Sequence, residues 1–477
     1  MTTPSSPANA AAPAMAVDAG TRYLRVAWIG AGGTPELVDL PGTVPGEGLP
    51  TPAGVRGDRA AALRVAYAAY REHCGTPRRM VLVVPPEQRA VPLAGGMPQH
   101  RPLGTPHAVL ALLRHAGSPL ASRLLVCDLG ASAAELARCT LVGGAVAVAR
   151  VARYAPAADG YGAAFDAAVL AGAGLPADDP AVLRELALAR AENARRTEIA
   201  LDRLAARPDR AGRFADTVVH EVAGREITAG MVHRALCLLT EGLDRVLDGL
   251  PTHRGDGPDP DRTPVIAVGG PARSAALRQH LTARLGRPVR LPGGTDPALA
   301  AVFGAALVAG GHADPADRYP HAVAVRVHRT VAGRPRDGEL LISPPGTLEP
   351  GGATVFAETG GERVRVKAVP ADGTGGREVR IVVRAAGTDA AAPVGVVTVP
   401  AAGDGARFHV GVRVAADGAA GLVLQPLGPS RPGAHPAREH LPAELPLREF
   451  PLGILPIDPR SPEESDHHPP DTQGART

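Results

Sequence analysis

The chain has 477 residues, 45% of them hydrophobic and 21% charged, with a formal net charge of +3 at neutral pH. That length exceeds one ordinary core and fits two or three domains of a globular protein. Aromatics are only 3% and no basic stripe carries interleaved rings, which argues against nucleic acid as a partner.

Residues 1–14 read as a disordered tail, polar and Ala-rich, without the basic start and apolar core of a signal peptide. Val17-Asp18-Ala19-Gly20-Thr21 then forms an acidic corner with a glycine turn, followed by an apolar strand over Leu24–Ile29. A helix is predicted over Ala60–His73, a strand over Met80–Val84 and a helix over His107–His115. A second acidic corner ends the strand Leu124–Cys127, in Asp128-Leu129-Gly130, and a strand follows at Leu136–Val142. Helices are predicted over Ala181–Ile199 and over Ala229–Leu247, the latter capped by Thr228. A third turn, Gly269-Gly270, closes the strand Val265–Val268 and precedes helices over Ser274–Leu285 and Pro297–Ala309. Strands alternating with helices over 15–313 predict an α/β domain.

Gly310 to Pro315 reads as a linker. Beyond it, short alternating strands over Val323–Val327, Glu339–Ile342, Thr354–Ala357 and Val364–Val369 predict an all-β domain at 314–428. Its later strands are Val379–Val383, Val394–Val399, Phe408–Val414 and Leu422–Leu424, with a hairpin turn at Ala415-Ala416-Asp417-Gly418. Residues 429–477 are Pro-rich and read as a disordered tail, His467 and His468 included. Cys74, Cys127, Cys139 and Cys237 form no Cys-x-x-Cys pair and read as reduced thiols. No apolar stretch approaches bilayer length, so no membrane partner and a cytoplasmic location are expected.

The three glycine turns carry the chemistry. Glycine lets backbone N–H groups approach phosphate oxygens closely. Gly20, Thr21 and Gly130 are the candidate phosphate ligands, and Asp18 and Asp128 the candidate magnesium ligands, acting through water. Asp128 is also the candidate catalytic carboxylate. Lys367 is the sole lysine, so a Walker loop and protein-kinase chemistry are both excluded.

In order, these motifs resemble the seventy-kilodalton heat-shock protein family, the DnaK-type chaperones of the actin and hexokinase ATPase superfamily. Val17 to Thr21 resembles the family's first phosphate motif, Val81 to Pro85 the strand and proline after it, and Cys127 to Gly130 the second phosphate motif. Gly162 to Asp166 is similar to the opening of the second lobe, Glu192 to Thr197 to the adenine-contacting helix, Val268 to Arg273 to the adenosine motif and Asp296 to Ala306 to the closing helix. Leu340 to Ile342, Thr347 to Pro350, Val364 to Val369 and Phe408 to Leu424 resemble the peptide-binding sandwich. The resemblance implies a two-lobed actin-like ATPase domain, lobe I about 15–151 and lobe II about 152–313, then a small β-sandwich. It implies ATP or ADP with magnesium as cofactors and an extended peptide or protein partner. Glu192, Arg195, Arg196, Gly269, Gly270 and Arg273 are then expected at the nucleoside, with Arg196 or Arg273 stacked on adenine.

The chain also departs from the family. Its α/β domain has no lysine for the γ-phosphate, and Thr21 to Pro85 is too short for the complete first-lobe insertion. Arg22 stands where a small hydroxyl residue is usual and Thr105 where a glutamate would position water. Ala131, Ser132 and Ala133 replace glycines and a threonine, and Glu135 replaces an aspartate. The linker has no leucine-rich run, and no helical lid follows. Losing one preorganised charged group typically costs ~10²–10³ in rate, so ATP binding with weak or absent hydrolysis is expected. The alternatives are a non-enzymatic nucleotide-sensing scaffold and a small-molecule kinase of the same superfamily, with Glu135 or Asp166 as base.

Overall fold

The structure is a computed structural model and describes residues 13–85, 100–142, 145–156, 160–206, 211–249, 263–313, 318–331, 333–367, 376–385, 391–400, 407–415, 419–427 and 447–455. The chain is a mixed α/β protein that divides into two compact units, Met1–Asp317 and Arg318–Thr477.

The first unit opens with β1 (Met15–Ala19), β2 (Tyr23–Ile29), β3 (Pro35–Leu37), β4 (Leu49–Pro50), α1 (Arg59–Cys74), β5 (Met80–Val84), β6 (His100–Gly104) and α2 (Thr105–His115). It continues with β7 (Arg123–Leu129), β8 (Ala134–Val142), β9 (Ala145–Tyr154) and α3 (Tyr161–Gly172). Then come α4 (Pro180–Glu192), α5 (Ala194–Ala206), α6 (Ala211–Ala215), the hairpin β10 (Val218–Val222) and β11 (Arg225–Thr228), and α7 (Ala229–Asp248). It closes with β12 (Val265–Val268), α8 (Ala275–Leu285), β13 (Val289–Arg290) and α9 (Ala300–Ala309). Side-chain caps start the helices where the sequence places them: Asp58 accepts from the Ala61 N–H at 3.0 Å and Thr228 from the Met231 N–H at 3.4 Å.

Two sheets with one topology build this unit. The first runs β3-β2-β1-β5-β6 and the second β9-β8-β7-β12-β13. In each, three antiparallel strands lead into two parallel ones. Alternation along the strands divides their side chains between two cores. Met15, Val17, Leu82 and Val84 pack on α1, whereas Ala16, Val81, Val83 and Leu103 turn to α2 and α9. In the second sheet Leu125, Cys127 and Leu129 face α3 and α7, whereas Leu124, Val126, Ile266 and Val268 face α2 and α9. Helices α2 and α9 therefore form one layer shared by both sheets. They cross at Gly304, where an added methyl would collide with the Ala108 backbone.

The second unit consists of β14 (Ala322–Val331), β15 (Arg334–Ser343), β16 (Val355–Phe356), β17 (Glu358–Thr359), β18 (Glu362–Arg363), β19 (Arg365–Lys367), β20 (Gly376–Arg384), β21 (Ala391–Pro400), β22 (Arg407–Val414), β23 (Ala419–Leu427) and β24 (Arg448–Ile454). One sheet has the order β15-β14-β20-β21, and a second runs β16-β22-β23-β24 with β19 beside β22. They share a core to which Val323, Val325, Ile381 and Val383 contribute from one sheet and Val410, Val412, Leu422 and Leu424 from the other.

Several expectations need correction. The two sheets divide between Gly104 and Arg123, so the lobe boundary at 151/152 cuts through β9, which is antiparallel to β8 of the second sheet. The helix expected over 181–199 is two helices. Asn193 ends α4, its side-chain amide donating to the Ala189 carbonyl at 2.9 Å, and α5 follows from Ala194. The strand β9 and helix α3 were not expected from sequence. The N-terminal tail is shorter than 14 residues, because the Tyr70 hydroxyl donates to the Pro13 carbonyl and Ala14 packs on the core. The tail expected over 429–477 contains an ordered strand, since β24 pairs with β23 from Ala419↔Ile454 to Leu424↔Arg448. Residues 1–12, 416–418, 428–446 and 456–477, and with them the expected hairpin turn, His467 and His468, lie outside the described residues. Of the four cysteines, Cys127 and Cys139 are buried, Cys74 is half-buried and Cys237 is exposed.

The strand β24 gives a direct test. Ending the chain before Leu447 removes an edge strand and uncovers Leu422 and Phe450's packing partners. We expect a lower melting temperature for the second unit by differential scanning calorimetry; an unchanged transition would mean that β24 is dispensable.

Candidate functional site

Strand parity brings the two acidic corners together. Asp18 shares the face of Ala16 on β1, and Asp128 shares the face of Leu124 and Val126 on β7; both faces look into the layer between the sheets. Asp18 and Asp128 accordingly line one cavity of about 770 Å³, with Gly20, Thr21, Gly130, Gly269, Gly270 and Arg273 also at its wall. Asp128 sits opposite Val268 of β12 and Glu135 of β8. Burial, then the Asp18 charge, push its carboxyl up to about 7, while Arg25 and a hydrogen bond with the Thr105 side chain pull the other way. Thr105, the first residue of α2, thus contacts the candidate catalytic carboxylate itself.

The glycine turns are tightly built. The Gly130 N–H donates to the Ala133 carbonyl at 2.8 Å, closing its own turn, so it is not a free phosphate donor. The start of α3 is sewn onto this turn: Tyr161 N–H donates to Ser132 O at 3.2 Å, Gly162 N–H to Gly130 O at 3.1 Å and Ala163 N–H to Ala131 O at 3.1 Å. Gly269 has φ +91° and lies so close to the Leu129 carbonyl that any Cβ would clash. Its N–H donates to the Pro297 carbonyl at 2.8 Å.

Two ion-pair networks cross the cavity. Asp18 accepts from Arg25 Nη1 at 3.3 Å, and Arg25 Nη2 lies 3.6 Å from Glu47. Glu47 also accepts from Arg273, whose other nitrogens bind Asp296 at 2.8–3.1 Å and the Gly46 carbonyl at 2.9 Å. The chain Asp18–Arg25–Glu47–Arg273–Asp296 runs from the first sheet to the loop before α9. The second network centres on Asp166 of α3, whose side chain is 9% exposed. Arg22 Nη1 binds one of its oxygens at 2.9 Å and Arg190 of α4 binds the other. Tyr23 and Val44 pack beside these pairs on Ala187 of α4.

The nucleoside side differs from the expectation. Glu192, Arg195 and Arg196 are exposed and off the cavity wall; Arg190, Ala191, Ala194 and Glu198 line it instead, one helical face over. Arg273 is at the wall, but its N–H groups are committed to Asp296, Glu47 and Gly46. His220 of β10 is a further wall residue that the sequence did not flag. Burial, then Arg190, push its imidazole down to about 4, so it is neutral near pH 7. Arg25, Glu47, Arg190 and Asp296 were also missed. Only Arg25 had a readable signal, as the opposite charge facing Asp18 across the β1–β2 hairpin.

Among the described residues no group of three or more His, Cys, Asp or Glu side chains gathers as a metal-ligand set. Asp18 and Asp128 form a pair that fits a cation keeping most of its waters, as magnesium does. Among the described residues no helix is long and apolar enough to cross a membrane. No protein-family model matches this chain, and no curated protein matches it in sequence.

Proposed function

We propose that this chain is a divergent relative of the DnaK-type chaperones, with a two-lobed actin-like unit that binds ATP with magnesium and a β-sandwich that holds an extended peptide or protein segment. Hydrolysis is weak or absent in this reading, and its setting is the cytoplasm. The supporting observation is the repeated sheet topology whose two equivalent strands, β1 and β7, carry Asp18 and Asp128 into one cavity beside the Gly269 turn. Asp18 and Asp128 would hold magnesium through water, and the ion would supply charge neutralisation at the phosphate oxygens. The chain's own residues orient the ligand: Thr21 and the Gly130 turn at the phosphates, and Gly270 at the nucleoside. The peptide-holding part rests on the likeness of 340–369 and 408–424 to the family's sandwich.

Isothermal titration with ATP and magnesium tests the reading. Saturable binding is expected, and no heat at millimolar nucleotide overturns it. A second reading, a nucleotide-sensing scaffold without turnover, is favoured by the engagement of Arg22, Arg25 and Arg273 in ion pairs and by the lack of any lysine in this unit. An upward melting shift with ATP and no phosphate release in a single-turnover assay selects it.

A further inference from the structure

Of the arginines that line the cavity, four belong to the two ion-pair networks, and these divide unequally. The chain from Asp18 to Asp296 holds three carboxylates and two guanidiniums, an excess of negative charge. The Asp166 cluster holds one carboxylate and two guanidiniums, an excess of positive charge. Its position is also specific. Arg22 directly follows Thr21 in the first glycine turn, and Asp166 lies on α3, whose first N–H groups are bonded to the second. The guanidinium side chains are 17% and 35% exposed, so each keeps a surface towards the cavity.

We propose that Arg22 and Arg190 together receive the terminal phosphate of a nucleoside di- or triphosphate, with Asp166 as the carboxylate that holds both forks at the cavity wall. This rests on the nucleotide-binding reading above. A phosphate oxygen offers guanidinium the same forked acceptor geometry as a carboxylate. The ligand's terminal phosphate exchanges with Asp166 for part of their hydrogen bonds, and no bond is made or broken in the protein.

The test compares AMP, ADP and ATP, each with magnesium, on the full chain by isothermal titration. The wild type is expected to bind ADP and ATP more tightly than AMP. Arg22→Gln and Arg190→Gln should each weaken ATP about tenfold and leave AMP unchanged. Asp166→Asn frees positive charge and should hold or tighten ATP, whereas a merely structural ion pair predicts that it weakens ATP as the arginine variants do. Melting curves without nucleotide establish that each variant is folded, and Arg22→Lys, which keeps the charge, replaces Arg22→Gln if that variant is not; it should retain the preference for ATP over AMP. If the wild type binds no nucleotide, the nucleotide reading fails and this inference with it. If the wild type binds ATP but the arginine variants match it, or lose AMP and ATP alike, the inference is overturned while nucleotide binding stands.

Discussion

Gly304→Ala is expected to destabilise the first unit by about 3 kcal/mol or more, against the sign of helix propensity. Gly304 is mid-helix in α9, where alanine would by itself gain ~1 kcal/mol. The new methyl, however, falls on the carbonyl of Ala108 in α2, which is backbone and cannot swing aside. Relief requires α9 to move off α2, yet α9 is also packed on β1, β2 and β5. Overpacking of a tight core costs typically 1–3 kcal/mol, and a backbone obstacle lies at or beyond the top of that range. For a domain of this size each kcal/mol lowers Tm by roughly 2–4 °C. Thermal unfolding by circular dichroism reads the effect, with Gly270→Ala as the control, since nothing lies near that position. An unchanged Tm for Gly304→Ala would mean that α2 and α9 do not cross there.

Asp128→Asn is expected to raise stability at pH 8 and to abolish a magnesium effect. In the folded chain burial and Asp18 raise the Asp128 carboxyl to about 7, from 3.8 in the unfolded chain. Between those values the folded state holds a proton that the unfolded state has lost. Wild-type stability therefore falls as pH rises from about 4 to about 7, and the loss is complete above 7. With allowance for partial solvent access it is on the order of 2 kcal/mol. Asparagine carries no charge, so the variant should show a flatter profile and a higher Tm at pH 8. Magnesium should stabilise the wild type more at pH 8 than at pH 5, because it binds the ionised pair, and should not stabilise Asp128→Asn. Identical pH profiles for the two proteins would mean that the Asp128 carboxyl is not raised in the folded chain.

The strands Met80–Val84 and Val265–Val268 are found where the sequence places them, because unbroken apolar runs between turn residues have few other solutions. The convergence of Asp18 and Asp128 was expected from the likeness of their two glycine turns; what realises it is strand parity, each standing an even number of residues from side chains facing the shared helix layer. What was hidden depends on contacts distant in sequence. Glu47 and Arg273 meet across 226 positions, which no local pattern marks. The Asn193 break was masked because the helical spacing continues through it: Arg190, Ala194, Glu198 and Leu201 stay on one face, and Glu192, Arg195 and Arg196 fall on another. In α3 the run of alanines leaves no polar face to reveal a period. The strand β24 lies among prolines, which masked its alternation.

The shared helix layer also sets the order in which the chain can mature. Ala16, Val81 and Val83 are covered by α9, which is synthesised more than two hundred residues later. While a ribosome is still translating the intervening segment, that inner surface of the first sheet has only α2 against it. Closure of so long a loop is slow, and the part that α9 will cover is open to self-association meanwhile. Production of this protein should therefore depend on temperature and on holding factors during synthesis.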